Sequence, residues 1–183
     1  MTEIKNRLFK AFGEDHAILG KALHKLAEQL RRGNIPAIKD AANNLDQKAG
    51  AHIAFEEAEF YPLLKLASPD INTDLMYQNH TIGLSVIQDI LALPLTSDNA
   101  TVTEAFQAKQ LSNIILMDEH ITECGELFSI LAQLSPMDLE KLYEKLLHWR
   151  TEHPRWTRLP KFREDKNSFR IKTIQHTPSG KIP

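Results

Sequence analysis

Four histidines and one glutamate are of residue types that can bind metal ions, and each lies within an apolar segment. They are His16, His52, Glu56, His80 and His120. His52 and Glu56 are four residues apart, and this spacing places both side chains on one face of an α-helix. Burying unpartnered imidazoles and a carboxylate is costly, whereas one metal centre satisfies all of them together. The residue types therefore favour a buried metal site over isolated core histidines.

A second segment, HITECGELFSI at residues 120–130, resembles HIAFEEAEFYP at residues 52–62 but has Cys124 in place of the glutamate. Three interpretations are open. Glu123, three residues after the histidine, could supply the carboxylate. Cys124 could bind as a thiolate, which would favour zinc or a thiolate-ligated iron. Alternatively, Cys124 is a small buried apolar residue, and the site is mononuclear or weak.

Long helices must position these side chains. Leucines at alternating spacings of four and three residues predict a first helix that ends before Gly33. Three more long helices each carry one candidate histidine on their apolar stripe, and a shorter fifth helix follows Pro136; Pro62 predicts a kink or a break just after the motif. The predicted helices span residues 14–32, 36–67, 72–93, 101–134 and 137–150. We predict an all-α fold, an up-down-up-down four-helix bundle with an extra C-terminal helix.

The composition is that of an ordinary globular protein. The chain has 183 residues, 42% hydrophobic and 25% charged, and only 7 glycines, which favours helices. A single cysteine excludes an intramolecular disulfide. The first residues lack a long apolar core and a cleavage site, and no stretch approaches the ~18 to 20 apolar residues of a membrane span. We expect a cytoplasmic protein without a signal peptide and without membrane association.

The net charge of −2 conceals two unequal regions. Residues 150–183 contain 9 Lys+Arg against 3 Asp+Glu, and the preceding residues contain 13 against 21. An acidic body is therefore followed by an irregular basic tail. We predict a metal-binding bundle over residues 1–134, and a C-terminal helix and tail over residues 135–183.

The basic tail has two interpretations. Its arginines alternate with aromatic residues, a pattern that suits RNA or single-stranded DNA. However, Trp149, Trp156 and Phe162 also need a place to be buried, and no recognised nucleic-acid motif is present. We therefore expect the tail to pack on the bundle or on a second subunit in a homodimer, and we disfavour nucleic acid.

Four segments together resemble the hemerythrin-like HHE cation-binding domains. They are EDHAILGKALHKL, HIAFEEAEFYP, YQNHTIGL and DEHITECGELF, and they cover about residues 14–132. HxxxEExxFYP is the most specific of them. The resemblance implies a four-helix bundle around a carboxylate-bridged, non-haem di-iron centre. It also implies that the five residues named at the outset are direct ligands, with Glu56 bridging the irons.

The chain departs from the family pattern at two positions. Oxygen-carrying hemerythrins have a second histidine in the third helix, where this chain has Leu84. In the fourth helix, Cys124 and Gly125 occupy the positions of the family's second carboxylate. The first departure moves the resemblance toward the bacterial HHE proteins and away from an oxygen carrier.

The resemblance implies an iron protein that binds or senses O2, NO or peroxide, or that handles iron. A di-iron oxidase or peroxidase is the enzymatic alternative, and a regulatory protein with a degenerate metal site is a third. Zinc and a mononuclear site are alternatives to two irons. Four histidines and one glutamate favour binding or sensing over oxygen activation, which leaves open whether the chain is an enzyme.

Overall fold

A computed structural model describes residues 3–94 and 101–159, and these residues form helices without a strand. The predicted all-α fold is confirmed for them. A π-helical turn, Glu56–Phe60, joins α2 to α3, and short 3-10 turns lie at Ser129–Gln133 and Trp156–Arg158. The described residues contain six α-helices, which are α1 (Glu3–Arg32), α2 (Ile35–Phe55), α3 (Tyr61–Ala67), α4 (Thr73–Leu91), α5 (Glu104–Phe128) and α6 (Pro136–Glu152).

Local signals in the sequence determine where these helices begin and end. The Asn34 side chain accepts a hydrogen bond from the Ala37 N–H at 3.0 Å and so caps α2. Thr103 and Ser135 cap α5 and α6 in the same way. Gly33 follows α1 with φ +78°, the left-handed conformation that ends many helices.

α1 begins earlier than the sequence analysis predicted, at Glu3 instead of residue 14. Ile4, Leu8 and Phe12 continue the apolar stripe over three more turns, and all three are buried. The Phe12 ring stacks on Phe128 of α5 with a centroid distance of 3.8 Å. This aromatic contact explains why the early turns belong to the core.

The predicted second helix, 36–67, is a continuous helical run that contains the π turn. The Tyr61 N–H donates to the Glu56 carbonyl, five residues back, whereas an α-helix bonds four residues back. Pro62 lies in the first turn of α3 and has no N–H to donate within this helical run. The deviation therefore falls on the HIAFEEAEFYP motif itself.

Four of the helices contact one another in a ring. α1 contacts α2 and α5, and α4 contacts the same two helices; α6 packs on α1 and α2. Their shared core includes Leu26, Ile38 and Ile87, which are fully buried. Within residues 3–94 and 101–159, no helix combines the length and the apolar character that a membrane crossing requires.

The residues after α6 lie against this ring. The buried Asp46 carboxylate accepts hydrogen bonds from the Thr157 N–H at 2.7 Å and from the Arg155 guanidinium at 3.2 Å. The Trp156 ring is buried above Gly83, where a Cβ atom would lie only 2.5 Å from the ring. Phe162 and the rest of the basic tail, residues 160–183, lie outside the described residues.

Candidate metal centre

The Glu56 carboxylate lies between histidines from three helices. Its Oε1 is 3.2 Å from His52 Nε2 of α2 and 3.6 Å from His16 Nε2 of α1. Its Oε2 is 3.1 Å from His80 Nε2 of α4. Glu56, His52 and His80 are buried, and the His16 side chain is only 11% exposed. The helical ring therefore brings the motif of α2 together with the histidines of α1 and α4.

α5 completes the cluster. His120 Nε2 lies 2.9 Å from His80 Nε2, and Cys124 Sγ lies 3.5 Å from His120 Nε2. Both α5 side chains are buried. By contrast, Glu123 is exposed on α5 and does not join the cluster. Of the seven candidate residues in the sequence, the structure brings together all except Glu123.

The atoms that could bind a metal fall into two groups that share one carboxylate. The α1–α2 group contains His16, His52 and Glu56, and the α5 group contains Glu56, His120 and Cys124. Within each group, all ligating atoms lie within 4.8 Å of one another. His80 lies beside the α5 group, because its Nε2 is close to both Glu56 and His120. Two ions could therefore be held side by side with Glu56 between them.

Three buried polar atoms of the cluster lack hydrogen bonds in the described part of the chain. They are His52 Nδ1, His52 Nε2 and Glu56 Oε1. Buried polar atoms almost always have a partner, and leaving them without one is costly. A cation between His52 Nε2 and Glu56 Oε1 would satisfy these two atoms, whereas His52 Nδ1 faces Asp15, so the donor set fits a bound metal.

The buried charges shift the pKa values of the cluster in opposite directions. Burial lowers the pKa of His52, but the Glu56 and Asp15 carboxylates outweigh it and raise the pKa to about 9. Burial and the nearby His80 lower the pKa of His120 to about 4. Burial raises the pKa of Glu56, but His52 and His16 hold it well below its usual value. The cluster therefore has an ionised carboxylate and a neutral His120 at neutral pH.

A second layer of side chains supports the histidines from behind. Asp15 Oδ2 lies 3.6 Å from His52 Nδ1, and Arg150 of α6 donates to Asp15 Oδ1 at 2.7 Å. His80 Nδ1 donates to Glu57 Oε1 at 2.9 Å. A neutral imidazole that donates through Nδ1 has its lone pair on Nε2, which faces the cluster. Such outer contacts orient histidine ligands and tune the metal they hold.

Sequence reasoning missed two of the contributing residues as parts of the centre. Asp15 precedes a candidate histidine and would be read as a surface residue from its type. Tyr61 is of a residue type that can hydrogen-bond to metal ligands, and its hydroxyl lies 3.2 Å from His120 Nε2 and 3.4 Å from Cys124 Sγ in the α5 group. The one signal for Tyr61 was its position in the FYP end of the motif.

A small cavity adjoins the cluster. Its volume is about 20 Å³, and its walls include His16, Glu56, His120 and Trp156. The other lining side chains are apolar, from α1, α2 and α5. This volume accommodates one water-sized molecule.

A scan of protein-family models, a search of curated proteins and a search of solved structures each found no match to this chain.

Proposed function

We propose that this chain is a hemerythrin-like HHE metal-binding protein whose buried centre holds two iron ions. The observation that carries the proposal is the position of Glu56, the one carboxylate shared by both groups of ligating atoms. A carboxylate in this position can bind one ion through each oxygen. The resemblance of the HIAFEEAEFYP segment supports the same role for Glu56.

The helix arrangement supports the family assignment. Each of the four helices in the ring supplies one histidine: His16 from α1, His52 from α2, His80 from α4 and His120 from α5. An up-down-up-down bundle, the topology we propose, places inward-facing residues of facing helices around a common centre. Imidazole with carboxylate suits iron among the first-row metals, and zinc is the principal competitor.

The small cavity supports a diatomic ligand, O2 or NO, over a larger substrate. It has room for about one water-sized molecule, and its walls are mostly apolar apart from the cluster. Ferrous iron, when bound, would donate electron density to such a molecule. The protein residues would exclude bulk water and keep the histidines in place.

With a single, buried thiol, the chain also fits the reducing cytoplasm.

Metal analysis tests the proposal. The purified protein is loaded with ferrous iron without oxygen, iron per chain is measured, and the absorption spectrum is recorded before and after NO is added. We expect two irons per chain and a spectral change with NO. The His52→Ala variant should lose iron, because His52 belongs to the α1–α2 group. The matched control is His148→Ala, which changes an exposed histidine outside the cluster.

Two outcomes would overturn the proposal: retention of zinc alone, or no iron after anaerobic loading. Steady turnover of peroxide by the iron-loaded protein would instead select the oxidase or peroxidase class.

A further inference from the structure

The Tyr61 hydroxyl oxygen lies at the meeting point of four candidate ligand atoms. It is 3.2 Å from Glu56 Oε2 and 3.0 Å from His80 Nε2. It is also 3.2 Å from His120 Nε2 and 3.4 Å from Cys124 Sγ. The Tyr61 side chain is 1% exposed. One oxygen thus contacts atoms from the π turn, α4 and α5 that would themselves bind a metal.

We propose that Tyr61 is a metal ligand in the α5 group, binding through its phenolate oxygen. This inference rests on the proposed function. It assigns to Tyr61 the oxygen-donor role that a carboxylate at position 124 would have. Phenolate oxygen is an established ligand of ferric iron.

The π turn brings Tyr61 to the centre. In an α-helix, successive side chains are about 100° apart, so the fifth residue after Glu56 would point about 140° away from it. The turn at Glu56–Phe60 accommodates an extra residue, because its hydrogen bond spans five residues instead of four. The Glu56 and Tyr61 side chains therefore meet at 3.2 Å. π turns of this kind occur frequently at functional sites.

A hydrogen-bonding role alone accounts poorly for these contacts. A phenol has one proton and can donate it to one of the four surrounding atoms at a time. The Glu56 oxygen and a neutral imidazole nitrogen present lone pairs, and the Cys124 sulfur can donate or accept. When a metal ion takes the place of that proton, the lone pairs can share one cation. The phenol proton leaves to solvent as the metal–oxygen bond forms.

Spectroscopy of ferric protein tests the inference, because phenolate bound to iron(III) gives a visible charge-transfer band and resonance-enhanced tyrosinate ring vibrations. The chain has three tyrosines, Tyr61, Tyr77 and Tyr143. We expect the band in the wild type and in the double variant Tyr77→Phe/Tyr143→Phe, in which Tyr61 is the one remaining tyrosine. We expect Tyr61→Phe to lose it while keeping iron in the α1–α2 group.

Tyr77→Phe is the matched control. The Tyr77 ring lies 5.2 Å from the Tyr61 ring, and its hydroxyl donates to the Glu57 carbonyl, away from the cluster. The double variant leaves Tyr61 intact, so it gives an answer even if Tyr61→Phe fails to fold. Iron-loaded wild-type or double-variant protein without tyrosinate vibrations would overturn the assignment of Tyr61 and leave the proposed function standing. Failure of the wild type to take up iron would overturn the proposed function itself.

Discussion

The two groups that share Glu56 differ in what surrounds them. In the α1–α2 group, His52 has Asp15 behind it, and Asp15 is held by Arg150 from a separate helix. In the α5 group, His120 Nδ1 lies 3.4 Å from the Asn79 side-chain nitrogen. The α1–α2 group is thus supported by charged residues, whereas the support of His120 is neutral and weak.

The groups also differ in charge. The carboxylates raise the pKa of His52 to about 9, whereas burial and His80 lower the pKa of His120 to about 4. In the α5 group, burial and the Glu56 charge raise the pKa of both the Cys124 thiol and the Tyr61 phenol, so both are protonated at neutral pH in the metal-free protein. Glu56 is the anionic donor that the two groups share, and in our proposal Tyr61 provides a second one in the α5 group once a bound ion replaces the phenol proton.

Replacing Glu56 should affect both groups equally, because it removes the donor that they share. We expect Glu56→Gln to lose both ions, since the amide keeps the size of the side chain and removes its charge. Metal per chain, measured by mass spectrometry after anaerobic iron loading, should fall to the background of metal-free protein.

Glu123→Gln is the control for this loss. Glu123 is exposed on α5, and we expect its variant to bind as much iron as the wild type. Loss of one ion in Glu123→Gln would contradict our account and would make Glu123 the missing carboxylate of α5. Retention of either ion in Glu56→Gln would show that the two groups do not depend on one carboxylate.

Removing the charge behind His52 should weaken one group and spare the other. We expect Asp15→Asn to reduce metal affinity in the α1–α2 group by about 10- to 100-fold, the usual effect of losing an outer carboxylate. The α5 group does not contact Asp15, so its affinity should not change. A metal titration should then resolve one tight site and one weakened site.

Asp118→Asn is a matched control for Asp15→Asn. Asp118 also lies 3.6 Å from a histidine, His24, but that pair is exposed and outside the cluster. Its variant should bind both ions as tightly as the wild type. Equal weakening of both sites in Asp15→Asn would mean that the variant disturbs the fold and not one ligand.

The sequence predicted the parts of the centre that depend on helical periodicity. His16, His52, His80 and His120 lie on apolar stripes, and the spacing of His52 and Glu56 placed them on one face. These features are local, and α-helical geometry is enough to derive them. The same reasoning offered Glu123 as one of three interpretations, and position 123 is on the exposed face of α5.

The features that the sequence did not predict depend on a deviation from α-helical geometry and on contacts between residues far apart in the chain. The π turn changes the direction of Tyr61, and α-helical spacing cannot anticipate it. Arg150 reaches Asp15 across 135 residues of chain, so no local pattern connects them. The type of Cys124 allows both a thiolate ligand and a small buried apolar residue, and only its surroundings distinguish them.

The smallest effect is expected at Cys124. Because Tyr61 supplies the anionic oxygen of the α5 group in our proposal, we expect Cys124→Ser to keep the full iron content and the tyrosinate band. The cost should be to folding: placing a hydroxyl at a fully buried position destabilises a protein by about 1–3 kcal/mol. Urea unfolding of the metal-free variant measures this cost. The Cys124→Ala variant removes the sulfur without adding a hydroxyl, so the difference between the two variants gives the cost of the buried hydroxyl. If the Cys124→Ser variant instead folds as the wild type but loses one ion, the thiol is a ligand. The α5 group is then a thiolate site that differs from the α1–α2 group in its donor atoms as well as in the side chains that support it.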